Sequence, residues 1–184
     1  VGHKLAKLNS RLTEFIEKQR VFFVATAAAD GRVNVSPKGM DTLRVLGDNR
    51  VIWLNLTGSG NETATHLLVR NRITLMFCAF EGTPLILRLY GTAEVFHPRD
   101  PQWEDLLAYF PPIAGTRQIF DVHVDLVRTS CGMAVPFYDF VGDRNELKEW
   151  AEGKGEQGLR EYWEKKNLVS IDGQPTKIFP ISVE

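Results

Sequence analysis

Short apolar runs that come in pairs, each pair joined by a tight polar turn, constrain this chain more than any other feature. VFFVATA (21–27) is rich in β-branched and aromatic residues and meets RVNVSP (32–37) across Asp30-Gly31, a dipeptide suited to hairpin turns. TLRVL (42–46) and VIWLNL (51–56) are joined by GDNR, and ITLMFCAF (73–80) and LILRLYGTAEV (85–95) by EGTP. One further long run, IFDVHVDLVRT (119–129), follows. Hairpin-linked strands with few helices predict a mainly β, α+β protein whose antiparallel sheet of about six strands closes into a barrel.

Helical spacing is confined to the flanks. Leu5, Leu8, Leu12, Phe15 and Ile16 predict an opening helix, in one piece or two, with Ser10 as a cap. Asn61 is placed to cap a helix carrying Ala64, Leu67 and Leu68 on one face, and QWEDLLAYF (102–110) reads as a short helix. Residues 145–167 are charged and helical in pattern but interrupted by Gly153, Gly155 and Gly158, which predicts two short helices on the outside. The expected organisation is a barrel over residues 1–140 and a helical extension over 141–184 packed on it. With 184 residues, 43% of them hydrophobic, the chain suffices for one sizeable core.

Charge and cysteine content exclude several classes. Twenty-two Lys and Arg against 23 Asp and Glu give a net charge of -1 with the basic residues scattered, so nucleic acid is not an expected partner. No apolar run reaches the roughly 18 residues of a membrane span and no leader pattern opens the sequence, so a soluble cytoplasmic protein is expected. Cys78 and Cys131 lack metal-ligand spacing, as do His66, His97 and His123, and no metal site is expected.

NLTGSGNETATH (55–66) carries the first functional signal. A strand, GSG, a helix, a strand and Glu81 imitate a dinucleotide-binding unit, but Thr63 stands where GxGxxG needs its third glycine, and EGTP then turns the chain back as a hairpin. No Lys-Ser or Lys-Thr follows the glycines, so a Walker A loop is also excluded. What remains is a helix N-terminus ringed by Thr57, Ser59, Asn61 and Thr63, which suits an anion and, above all, a phosphate. A capped loop without a ligand is the plain alternative. VSPKG (35–39) favours the anion, because Ser36 and Lys38 end a strand near that loop and Lys38 supplies the charge the loop lacks.

These stretches resemble the pyridoxamine 5'-phosphate oxidase-like FMN-binding proteins, which have a split β-barrel fold. The resemblance rests on VIWLNLTGSGNETATHLLVRNRITLMF (51–77), similar to that family's strand, Asn-Leu-Gly-Ser loop, helix and Asn-x-Arg-Val strand. VFFVATAAADGRVNVSPKG (21–39) is similar to its opening hairpin and LILRLYGTAEV to its strand ending in Gly-x-Ala/Val, so that roughly residues 10–130 are covered. It implies a six-stranded split barrel and a homodimer with FMN in two clefts at the subunit interface. It further implies that Asn34, Ser36, Pro37 and Lys38 lie along the flavin edge and phosphate, that Asn55, Leu56 and Thr57 line the same cleft, and that Ser59, Asn61 and Thr63 meet the phosphate. Arg88 would approach the flavin, and SCGMAVP (130–136) would cover the ring.

Two departures from the family pattern stand out. Its oxidases carry Arg-Lys directly after Gly-Ser, whereas here the loop is longer and Glu62-Thr63 takes the corresponding place. Those oxidases also end in a Trp-rich segment with Arg-x-His that grips pyridoxal phosphate, whereas this chain ends SIDGQPTKIFPISVE (170–184). The expectation is therefore an FMN-dependent oxidoreductase with a different substrate. A non-catalytic flavin-binding or sensing module, and a barrel using deazaflavin or haem, are the alternatives.

Overall fold

A computed structural model describes residues 2–180; the last four residues of the chain end singled out above lie outside the described residues. The elements are β1 (Lys4–Leu5), α1 (Ser10–Lys18), β2 (Phe22–Thr26), β3 (Asn34–Lys38), β4 (Leu43–Val45), β5 (Arg50–Leu56), α2 (Glu62–Val69), β6 (Ile73–Cys78), β7 (Ile86–Phe96), α3 (Trp103–Leu107), β8 (Thr116–Ser130) and α4 (Glu146–Lys166).

All strand pairs are antiparallel and follow the order β3-β2-β6-β7-β8-β5-β4, with β1 pairing β8 off this path. Two expectations are thereby corrected. The path has seven strands instead of about six: each of the seven apolar runs forms a strand, including the three-residue β4, and β3 and β4 end the path as a half-barrel. Leu5 is not helical: β8 is 15 residues long, β5 pairs it only as far as His123, and β1 takes up the edge beyond, at Val127 and Arg128. The cap of α1 is accordingly Asn9 and not Ser10, its side chain accepting from the Leu12 N–H at 3.0 Å.

The unbroken apolar run of β5 is explained by burial on both faces. Val51 and Trp53 enter a core with Val24, Leu75, Phe77, Leu89 and Phe120, closed by Leu12 and Ile16 of α1. Ile52 and Leu54 enter a second cluster roofed by Trp103, Leu106 and Phe110 of the α3 region. Trp53 stacks on Phe120 with centroids 4.6 Å apart. Helix α4 is broken at Gly155, which is left-handed at φ 60°, so the segment consists of two helical pieces. Trp150 of the first piece and Tyr162 of the second meet edge to face at 5.0 Å. Among the described residues no helix is long and apolar enough to cross a membrane, and no group of three or more His, Cys, Asp or Glu is placed to hold a metal ion.

Candidate functional site

Strand β3 inverts the usual alternation of a half-buried strand. Its register on β2, with Thr26 opposite Asn34 and Phe22 opposite Lys38, sets Asn34, Ser36 and Lys38 on one face. That polar face is half-buried, whereas Val33 and Val35 are 70% and 60% exposed. An edge strand that turns its valines to solvent and its polar residues inward is built around a polar interior.

That interior is a cavity of about 670 Å3, within the range of ligand sites. Asn34, Ser36 and Lys38 of β3, Asn55 and Leu56 of β5, and Ser59, Asn61 and Thr63 of the loop and α2 all line it. Asn34 Nδ2 donates to Thr63 Oγ1 at 3.2 Å, joining strand to helix across the cavity wall. Buried His66, on the next turn of α2, sits 3.0 Å from Thr26 Oγ1 through Nδ1. The other three residues expected here are elsewhere. Pro37 lies on the exposed face of β3. Thr57 is buried behind the loop, donating to Gly115 O at 2.8 Å and accepting from Trp163 Nε1 at 2.9 Å. Arg88 stands between Met76 and Arg128 in the sheet and donates to Ser130 Oγ at 3.3 Å.

The residue that sequence reasoning missed is Arg117. It stands at a β-bulge: Asn55 pairs Gln118 but Leu56 pairs Thr116, so Arg117 is the extra residue, and such a bulge re-aims a side chain. Only 3% exposed, Arg117 lines the cavity and donates through Nη1 to Gly60 O at 3.0 Å and Asn167 Oδ1 at 2.7 Å, while its Nε has no partner among the described residues. The one signal in the sequence is an arginine beside the buried run Gln118-Ile119-Phe120.

Lys38 is the second cation. Burial, reinforced by the nearby Arg117 charge, lowers its pKa from 10.5 to about 8. Its Nζ lies 5.1 Å from the centroid of the Trp53 ring, whose electron-rich face offsets part of that cost. Desolvation likewise lowers Arg117 from its ordinary value to about 10. Among the described residues neither cation makes an ion pair with a carboxylate. Glu62, the acid in the wall, instead accepts the Ile171 N–H at 3.0 and 3.1 Å. Asn61 occupies the N-cap position of α2, but its side chain makes no cap bond, and both amide atoms are buried without a partner among the described residues. Two uncompensated cations and an orphaned amide at a helix start are costly in an empty protein and favourable around an anion.

The segment after α4 closes the same wall. Trp163 holds Thr57, Asn167 Nδ2 donates to Gly58 O at 3.1 Å, and Asp172 accepts from the Arg32 backbone N–H at 2.8 Å and pairs with its guanidinium. Lys166, Ser170 and Ile171 reach the cavity. The glycine loop is therefore held by the C-terminal segment as well as by its own turn.

The family model described as pyridoxamine 5'-phosphate oxidase matches residues 8–131. A pyridoxamine 5'-phosphate oxidase family protein of Aspergillus flavus, ustO, is 34% identical over 186 residues, covering 91% of this chain and 75% of its own. The crystal structure of HupZ from Group A Streptococcus superposes with a TM-score of 0.51 at 22% identity, covering 65% of this chain and 91% of that one. A pyridoxamine 5'-phosphate oxidase candidate from Lactobacillus delbrueckii gives 0.52 at 21% identity, covering 67% and 94%. The two structures share the fold, and the family model and the Aspergillus relative, together spanning the barrel and the loop, show that this chain belongs to the pyridoxamine 5'-phosphate oxidase family.

Proposed function

We propose that this protein is an FMN-binding flavoprotein that acts as an oxidoreductase on a substrate other than pyridoxamine phosphate. The observation that carries the reading is the pair of cations, buried Arg117 and half-buried Lys38, that face one cavity with neither paired to a carboxylate among the described residues. A phosphate dianion is the ligand that balances them, and Ser59, Asn61 and Thr63 add neutral donors at the start of α2. FMN, when bound, supplies hydride or electron acceptance. The chain's own part is to anchor the phosphate with Arg117 and Lys38, to order the loop through Trp163 and Asn167, and to line the remaining volume with Asn34, Asn55 and Leu56. Arg117 takes the role of the Arg-Lys pair absent from the loop. A homodimer is part of the proposal: Val33 and Val35 beside the cavity, and Met133, Phe137, Tyr138 and Val141 after β8, are exposed apolar residues that a second copy would cover.

The deciding experiment is the visible spectrum of the purified protein with its released chromophore identified by mass, followed by titration with FMN and with riboflavin, which lacks the phosphate. FMN is expected to bind at least about 100-fold more tightly, as two charge-assisted contacts imply. Equal affinities would remove the phosphate reading, and a colourless protein that refuses FMN would remove the flavin. A Soret band with released haem would replace FMN by haem. Reduction of the bound flavin by NADH or NADPH with turnover separates an oxidoreductase from a passive module.

The pH dependence follows from Lys38. Its folded pKa of about 8 lies below its ordinary 10.5, so between these values the unfolded chain holds more protons than the native one. The stability of the ligand-free protein should rise with pH through that window. FMN affinity should move the opposite way, falling about tenfold per pH unit above pH 8 as Lys38 loses the proton that attracts the phosphate. Fluorescence titrations at pH 7, 8 and 9 check this against Lys38→Met, whose profile should be flat; a flat profile in the parent would take Lys38 out of the anion site.

A further inference from the structure

A polar chain, buried from His97 onward, leads to the cavity, and its polarity is set at the end where half-buried Asp100 stands. Asp100 accepts the His97 backbone N–H at 2.7 Å, and its Oδ2 also lies 3.5 Å from His97 Nδ1. His97 Nε2 is 3.1 Å from Gln118 Nε2, and Gln118 Oε1 accepts from Asn55 Nδ2 at 3.1 Å. All three of these side chains are buried, Gln118 completely. Asn55 lines the cavity, and its Oδ1 makes no hydrogen bond among the described residues.

A carboxylate only accepts, so the ring nitrogen nearest Asp100 carries the proton and Nε2 is left with a lone pair. Gln118 must then meet His97 with its NH2 group and Asn55 with its carbonyl. Asn55 in turn must give its NH2 group to Gln118. Reversing one amide alone would set two acceptors or two donors face to face in a dry interior, at the cost of an unmade buried hydrogen bond, and reversing the whole chain would turn the Nδ1 lone pair toward the Asp100 carboxylate.

We propose that His97 and Gln118 are positioning residues that hold the Asn55 amide with its carbonyl oxygen toward the cavity, making this wall an acceptor that selects a ligand edge carrying a ring N–H. For a flavin, which rests on the reading above, that edge is the imide N–H of its pyrimidine ring. Among the described residues none of the side chains of Asp100, His97, Gln118 and Asn55 hydrogen-bonds Arg117 or Lys38, whose part is the phosphate.

Two readouts test this. In ligand-free protein, 15N NMR of His97 is expected to show a pyrrole-type Nδ1 and a pyridine-type Nε2, and Asp100→Asn is expected to mix the two tautomers; an Nε2–H tautomer in the parent overturns the proposal. Binding of FMN and of its N3-methyl analogue is then compared. Methylation should cost about tenfold or more in the parent, and that ratio should shrink in Asp100→Asn, whereas a merely structural role would weaken both ligands alike. Equal binding of the two by the parent overturns the selection of an N–H edge. Refusal of both ligands would instead sink the flavin reading and leave the tautomer as the deciding result here.

Discussion

Arg117→Met is expected to weaken FMN binding by between about 10- and 100-fold, the range that losing one hydrogen-bonded charge implies, while the ligand-free protein stays within about 2 kcal/mol of the parent in stability. The two effects separate because Arg117 serves the ligand at the expense of the fold. In the ligand-free chain its guanidinium is buried, lacks a carboxylate and leaves Nε unpartnered. Replacing it with an apolar side chain of similar length removes a desolvation cost of several kcal/mol. Against this stand Gly60 O and Asn167 Oδ1, which lose their donor at about 1–3 kcal/mol each. Urea unfolding and FMN titration on one preparation check both halves. A variant that binds FMN like the parent would remove Arg117 from the phosphate site, and one that loses stability and affinity together would make it a strut for the glycine loop.

The largest effect on folding is expected from Gly91→Ala. Gly91 pairs Val124 at a second bulge, where Tyr90 pairs Leu126 and Asp125 is the extra residue. There the strands approach so closely that a Cβ on Gly91 would lie 1.9 Å from the His123 carbonyl oxygen and 2.9 Å from its carbon. Both atoms are backbone in the longest strand pair of the sheet, so no side-chain rotation relieves the contact. The strands must separate or the bulge must move, and the upper range for overpacking, about 3 kcal/mol, is the expected loss. A drop in the urea midpoint at unchanged slope is the signature. An alanine variant within about 0.5 kcal/mol of the parent would show that the bulge does not hold the strands together so tightly.

The two bulges also mark where reading along the chain stops being sufficient. The hairpins at Asp30-Gly31, GDNR and EGTP were legible because turn chemistry and strand composition are local. The placing of α2 directly after the glycine loop was legible for the same reason. The strand off that path was not: two-residue β1 has no pattern of its own and exists only because β8 outruns β5. Among the site residues, Asn34, Ser36 and Lys38 could be found because period-2 alternation puts them on one face, and Ser59, Asn61 and Thr63 because they surround a helix start. Thr57 and Arg88 lie outside the cavity of the single chain, held by Trp163 and Ser130, partners 106 and 42 residues away.

By itself, then, the sequence determined the antiparallel, hairpin-built sheet, the polar loop at the head of a helix and the lysine beside it, all of which depend on neighbours within a few residues. Only the tertiary structure decided that Arg117 enters the cavity, that Asn167 and Trp163 brace the loop from the far end of the chain, and that His97, Gln118 and Asn55 join in one buried polar chain. The physical reason is the same in each case. A bulge and a buried hydrogen-bond chain are settled by the register of strands distant in sequence, and that register is chosen by packing of the whole core.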